Sequence, residues 1–288
     1  MRIILIGADG QLGTDLCKSL KHTDLIPLIQ KDIEISDIDS VLASCRKHKP
    51  EVIINTASYI RVDDCEASAD LAYRINALGA RNLAVAASEC GAALCHLSTD
   101  YVFGADEKRE SAYTEFDVPA PVNVYGISKL TGERFIEHLC SKYFIIRTSV
   151  LYGVAQCIGK GTNFVEIVEN LAGKNTEIRM VSDQVFSTSY TKDLAAKIAE
   201  LVNTRYYGIF HITNSGQCSW YGFADEILRL MGSNCTVVPI SASEHATPAR
   251  RPAYSAMANY HLQLLGMDGM RSWQEALKDY LREKDLLA

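Results

Sequence analysis

The stretch Ile3-Ile4-Leu5-Ile6-Gly7-Ala8-Asp9-Gly10-Gln11-Leu12-Gly13 decides the fold. Its first four residues form an unbroken apolar run closed by Gly7, the pattern of a parallel strand buried on both faces. From Gln11 to Leu20 the apolar residues recur at 12, 16 and 20, with Cys17 beside them, which is helical spacing. The loop between carries Gly7, Gly10 and Gly13. Glycines there allow a tight turn, close approach of backbone to a pyrophosphate, and close helix–strand packing. The helix start adds free N–H groups and the positive end of its dipole. Gly7, Gly10, Gln11, Leu12 and Gly13 are therefore the expected phosphate contacts of a bound dinucleotide.

Outward from this unit the rhythm continues. Leu25 to Ile29 reads as a second strand, interrupted by Pro27, and Ser36-Asp37 can cap a helix that runs to about Lys47. Val52–Ile54, Ala93–Leu97 and Phe144–Ile146 read as further strands. Leu71–Cys90 and Asn123–Cys140 read as the helices between them. This alternation predicts an α/β, Rossmann-type doubly wound parallel sheet with a smaller C-terminal substrate-binding lobe. After Gly153 the rhythm loosens. Asn163–Leu171, Trp220–Met231 and Ser272–Arg282 read as helices, Pro239–Pro252 as irregular. Thr191–Val202 and Ile209–Ile212 read as a helix and a strand returning to the main sheet. The expected division is 1–153 plus about 190–215 for the cofactor domain, and about 154–189 with 216–288 for the lobe.

The 288 residues are 48% hydrophobic and 22% charged, which supports a sizeable core and excludes a disordered or low-complexity chain. The net charge of −6 argues against a nucleic-acid backbone or an anionic membrane as partner, because both demand a basic face. Nine scattered cysteines with no Cys-x-x-Cys suggest neither a zinc site nor a disulfide framework. With no signal peptide and no apolar run of membrane-spanning length, a cytoplasmic location is expected.

The second strand ends without a clean ribose-binding acid. Glu34 stands 21 residues after Gly13, near the offset expected of a group that binds the ribose, with Ile35 next to it. Lys31 is either a partner for a 2′-phosphate or a solvated turn residue. NADPH is the expected cofactor, with NADH open.

Asn123-Val124-Tyr125-Gly126-Ile127-Ser128-Lys129 puts Tyr125 and Lys129 one turn apart on one face of a helix. A phenol with an ordinary pKa near 10 becomes a useful acid toward a developing alkoxide when a cation beside it favours the phenolate. The strand before this helix ends Ser98-Thr99-Asp100-Tyr101-Val102-Phe103. A hydroxyl at the C-terminal end of a parallel strand faces the ligand crevice, so Thr99 can bond the same substrate oxygen.

Phosphate loop, strand-end hydroxyl and Tyr–Lys pair together resemble the extended short-chain dehydrogenase/reductases. Within them the chain is similar to the dTDP-4-dehydrorhamnose reductase family. The resemblance includes Asn55-Thr56-Ala57-Ser58-Tyr59, Val62-Asp63-Asp64-Cys65-Glu66, Arg147-Thr148-Ser149, Gly161-Thr162-Asn163-Phe164, Asp183-Gln184 and Thr247-Pro248-Ala249-Arg250-Arg251-Pro252. It implies hydride transfer to the 4-keto carbon of a dTDP-6-deoxy-hexulose. Thr99, Tyr125 and Lys129 would be catalytic. Lys31, Glu34, Ile35, Ala57, Ser58, Tyr59, Asn76 and Ser98 would join the glycine loop around the cofactor. Asp100, Val102, Phe103, Val150, Asn163 and Arg251 would meet the nucleotide sugar, with the Arg251 fork suited to a diphosphate.

Two departures bear on the sugar. Many members carry Trp where this chain has Val150, and Tyr254 replaces a small amide. Some members hold magnesium through acidic residues at a dimer contact. The resemblance thus brings in a homodimer as a partner and Asp15 as a candidate ligand, although a surface helix position is the plainer reading of Asp15. A non-catalytic nucleotide-binding subunit, similar to the regulatory subunit of methionine adenosyltransferase, shares Val-Leu-Tyr-Gly at 150–153. A related 4-ketoreductase or epimerase also stays open. A dehydratase would want an acid pair where Asp100 is followed by Tyr101.

Overall fold

The computed structural model describes residues 1–288. The chain runs β1 (Arg2–Ile6), α1 (Gln11–Ser19), β2 (Asp24–Leu28), α2 (Ile38–His48) and β3 (Val52–Asn55). Next come α3 (Val62–Ala67), α4 (Ala69–Ala72), a π-helical turn (Tyr73–Leu78), α5 (Gly79–Cys90), β4 (Ala93–Thr99), α6 (Val124–Leu139) and β5 (Tyr143–Thr148). The second half has β6 (Leu151–Tyr152), α7 (Phe164–Ala172), β7 (Glu177–Val181), β8 (Val185–Phe186), β9 (Ser189–Tyr190) and α8 (Thr191–Leu201). It ends with β10 (Gly208–His211), β11 (Cys218–Ser219), α9 (Trp220–Leu230), β12 (Thr236–Ile240), α10 (Tyr260–Leu264) and α11 (Trp273–Glu283).

Six of these strands form one parallel sheet in the order β10-β5-β4-β3-β1-β2. The apolar run at the chain start explains its place. Ile3 and Leu5 point to one face, into a cluster with Leu12 and Leu16 of α1 and Leu194 and Ile198 of α8. Ile4 and Ile6 point to the other, against Val41, Leu83, Ala84 and Ile136 from α2, α5 and α6. A strand alternates sides with period two, so only an all-apolar run satisfies two cores. Burying each such side chain stabilises the fold by roughly 1.5–3 kcal/mol. Pro27 lies in β2, the sheet edge, where a missing N–H is tolerated.

The chain turns to opposite sides of β1, first to β2 and then to β3, so a crevice opens at the carboxyl ends of these strands. A third core, with Val168 of α7, Ile178 of β7, Phe223 and Ile227 of α9 and Leu277 of α11, forms a lobe beside that crevice. The lobe holds three two-stranded pairs, β7–β12, β8–β11 and β6–β9. Pro239, expected in an irregular stretch, sits in β12 opposite Met180. No helix is long and apolar enough to cross a membrane.

The helix expected over Leu71–Cys90 is interrupted by the π turn. The extra residue in that turn carries Asn76 inward. Its Oδ1 accepts from Tyr59 N (2.8 Å), and its Nδ2 donates to Tyr59 O (3.1 Å) and Ser128 Oγ (3.0 Å). Single π turns gather at functional sites for this kind of reason.

Candidate active site

The glycine loop lies at the carboxyl end of β1. Gly7 has φ +79°, and a Cβ there would lie 2.6 Å from Thr56 Oγ1. A Cβ on Gly13 would lie 2.0 Å from Gly7 O. Only glycine lets the turn close this tightly and bring α1 onto the strand. No side chain caps α1, whose first N–H groups open toward the crevice. The cradle therefore fits a dinucleotide pyrophosphate. Leu12 packs into the core, so only its backbone faces this space, and Gln11 donates to Gly153 O (3.1 Å).

Tyr125 and Lys129 stand on the first two turns of α6. Asn123 caps that helix, its Oδ1 accepting from Gly126 N at 2.8 Å, while its Nδ2 donates to Arg250 O at 2.8 Å. A Cβ on Gly126 would lie 2.1 Å from Tyr101 O, so this glycine lets α6 press against the chain that follows β4. Tyr125 thereby comes beside Thr99, whose hydroxyl favours the phenolate. Burial is the larger influence and holds the Tyr125 phenol above the usual tyrosine range. Lys129 is buried, and its ammonium is pushed down to about 8 by burial, against the pull of the Glu133 carboxylate. Asp100 is buried and pushed up to about 6 by burial, opposed by hydroxyls of Ser255, Ser149 and Thr99. Ser255 Oγ donates to it at 2.7 Å.

Several expected contacts prove to be spent elsewhere. Asn76 has both amide hydrogens and its oxygen engaged in the strut described above, so its side chain braces Tyr59 and α6. The Ser98 hydroxyl donates to the buried Glu133 carboxylate. Asn163 is the cap of α7, in a reciprocal capping box with Glu166, and its amide also reaches Gly153 O and Tyr280 Oη. Val102 and Phe103 are fully buried in a small core with Tyr113 and Met257, with Phe103 stacked on Tyr113. Tyr254 joins that same core, and its hydroxyl bonds Gln217. Ile35 packs under Gly79. Glu34 accepts from Ser36 N and Oγ, at 2.9 and 2.8 Å. Lys31 is exposed, and Ala57, Ser58 and Tyr59 border the crevice half-buried.

Asp15 is not a surface residue. It is buried and accepts from Thr191 Oγ1 (2.7 Å) and Lys18 Nζ (2.8 Å), joining α1 to α8. No group of three His, Cys, Asp or Glu side chains is placed to hold a metal ion.

The Arg251 fork, expected free for a diphosphate, clasps Asp63 at 2.9 and 2.8 Å and also reaches Ala249 O. This ties the 247–252 segment to α3 across the crevice. The neighbouring loop 159–161 comes to the same place, with Arg61 Nε donating to Gly159 O at 2.7 Å. Between its two left-handed glycines stands Lys160, which feels the charges of Arg251, Asp63 and Asp100 and forms no ion pair of its own.

Val150 and Arg251 line one pocket with Asp100, Tyr101, Gln184 and Trp220. Val150 has φ +38°, a strained conformation for a β-branched residue. It is held by Ser189 N bonding its carbonyl, where β6 joins β9. Trp220 packs on Phe186 and Phe164, and its indole donates to Gln184 Oε1 at 3.2 Å. Sequence reasoning took Trp220 only as a helix residue. Its neighbour Gln184, quoted in the Asp183-Gln184 motif, is the signal that could have pointed to it.

The family described as "RmlD substrate binding domain" matches residues 1–286. The spore coat polysaccharide biosynthesis protein SpsK of Bacillus subtilis is 39% identical over 285 residues, covering 98% of each chain. A crystal structure of a dTDP-4-dehydrorhamnose reductase from Clostridium acetobutylicum superposes with a TM-score of 0.94 at 42% identity, covering 99% of this chain and 100% of that one. The Bacillus anthracis dTDP-4-dehydrorhamnose reductase in complex with NADP gives 0.93 at 42% identity, covering 98% and 99%.

Proposed function

The chain belongs to the RmlD substrate-binding-domain family, whose members include dTDP-4-dehydrorhamnose reductases, and from that premise we propose that it reduces dTDP-4-dehydro-β-L-rhamnose to dTDP-L-rhamnose with NADPH. The observation that carries this reading is Thr99 at the end of β4 beside Tyr125, with Lys129 one turn further along α6, next to the glycine cradle. NADPH, when bound, supplies the hydride to C4.

Tyr125 gives its phenolic proton to the developing O4 alkoxide, and Thr99 Oγ1 hydrogen-bonds the same oxygen. Burial keeps the phenol protonated, which is the form that reduction needs. Lys129 stabilises the phenolate that the transfer leaves behind. Val150, Gln184 and Trp220 stand beside Asp100 and Tyr101 at the lobe side of the crevice, where the sugar would approach. The test is NADPH oxidation with dTDP-4-dehydro-L-rhamnose, and product identified as dTDP-L-rhamnose is the expected result. Absence of turnover under saturating substrate refutes it.

Because Arg251 is already neutralised by Asp63, the charge for the substrate diphosphate falls to Lys160. Lys160→Ala is expected to raise KM for the nucleotide sugar about tenfold or more with kcat nearly unchanged. Loss of uniform binding has that signature. A fall in kcat at constant KM would assign Lys160 to the chemistry instead.

A further inference from the structure

Lys129 is backed by a buried histidine that the mechanism above does not use. His96 lies in β4, 1% exposed, with its two ring nitrogens between Asn55 and Lys129. Nδ1 is 3.1 Å from Asn55 Nδ2, and Nε2 is 3.2 Å from Lys129 Nζ. The Asn55 amide has only one orientation open to it. Its Oδ1 accepts from Ala57 N at 3.1 Å and its Nδ2 donates to Ala57 O at 3.3 Å. The group that faces His96 is therefore an N–H donor, and Nδ1 must accept. A neutral imidazole that accepts at Nδ1 carries its hydrogen on Nε2. Burial, with the Lys129 charge adding to it, holds the imidazole neutral. His96 thus turns a donor toward the lysine. An ammonium has three donors and no acceptor, so it cannot take this bond, whereas an amine can.

We propose that His96 is a positioning residue that, fixed in its Nε2–H form by Asn55, favours the amine over the ammonium at Lys129, making the catalytic lysine a poised rather than a permanent cation. The amine accepts from His96 and donates to Leu97 O, leaving one N–H for the crevice. Gain of a proton from solvent breaks the His96 bond or forces the Asn55–Ala57 turn to reorganise. Since that turn borders the crevice at Ala57, the charge of the lysine is linked to the shape of the 55–59 segment.

No other nearby ionisable group offers the same control. On α6 Lys129 lies between Tyr125 and Glu133, and Glu133 is locked to Arg147 of β5. On α3, Asp63 is held by Arg251, Asp64 by Arg61, and Glu66 accepts from Val124 N. Asp70 of α4, Arg74 of the π turn, and Arg81 and Glu89 of α5 are exposed. The pull of burial on Lys129 acts in the same direction as the His96 donor.

The experiment is a pH titration of ligand-free protein carrying [ε-13C]lysine, with the Lys129 resonance identified by its loss in Lys129→Met. This readout is independent of turnover and of which sugar is reduced. The parent Lys129 is expected to titrate at or below about 8. Asn55→Asp offers a carboxylate to Nδ1–H, switches the tautomer, and is expected to move the midpoint up by at least one unit. His96→Gln, which supplies a carbonyl oxygen without adding charge, is expected to do the same. A midpoint that stays in place in whichever of these variants remains folded overturns the proposal.

Discussion

Tyr125→Phe is expected to lower kcat for keto-sugar reduction by about 10²–10⁴-fold while KM and NADPH affinity stay within a few-fold of the parent. The substitution removes one oxygen from a half-buried ring that packs edge-on to Tyr101 at 6.0 Å between centroids, so the helix and the crevice keep their shape. What is lost is the proton donor. Thr99 can hold the alkoxide but is too weak an acid to replace a phenol. The pH profile reads the other partner. Loss of the Lys129 proton removes the charge that favours the phenolate. kcat/KM is therefore expected to fall as pH rises through about 8, where burial has brought the lysine. Stopped-flow NADPH oxidation with both proteins measures these quantities, and a loss under tenfold in Tyr125→Phe would remove Tyr125 as the acid.

Glu133→Ala is expected to destabilise the protein by about 3–5 kcal/mol, the cost of leaving a buried charge without its partner. Glu133 and Arg147 are both within 1% of full burial. Arg147 Nη2 donates to Glu133 Oε2 at 2.7 Å and Nε to Oε1 at 3.1 Å. Ser98 completes the carboxylate, while the guanidinium lies 5.3 Å from the Phe103 ring centroid and keeps Nη1 unpartnered. The truncation leaves the buried guanidinium without its counter-charge. The pair fastens α6 to β4 and β5 one turn beyond Lys129, so activity is expected to fall with stability. Removing both charges, as Glu133→Leu with Arg147→Met, should recover most of the loss, because desolvation is then avoided on both sides. Urea unfolding at pH 7 separates the cases. A cost below 1 kcal/mol for Glu133→Ala would mean that solvent reaches the arginine.

The fold was legible because it rests on periodicities. An apolar run at Ile3–Ile6, glycines at 7, 10 and 13, and apolar spacing in α1 each have few structural solutions. The cap at Asp37 was equally readable, since it acts within two residues. The Tyr125–Lys129 pairing followed from helix geometry alone. The site's wider shell was less legible. Asn76, Asn163 and Arg251 were expected at ligands, and each instead bonds the protein.

What the sequence by itself determined is the parallel sheet, the glycine turn after β1 and the placing of Tyr125 and Lys129 one turn apart on one helix, because these depend on residues a few positions apart. Tertiary structure alone decided which polar groups remain free to meet a ligand. Asp63 reaches Arg251 across 188 positions, Asn76 reaches Ser128 across 52, and Asn55 reaches His96 across 41. A side chain's hydrogen-bonding capacity is finite. Whether it is spent on the fold or kept for chemistry depends on what folding brings beside it.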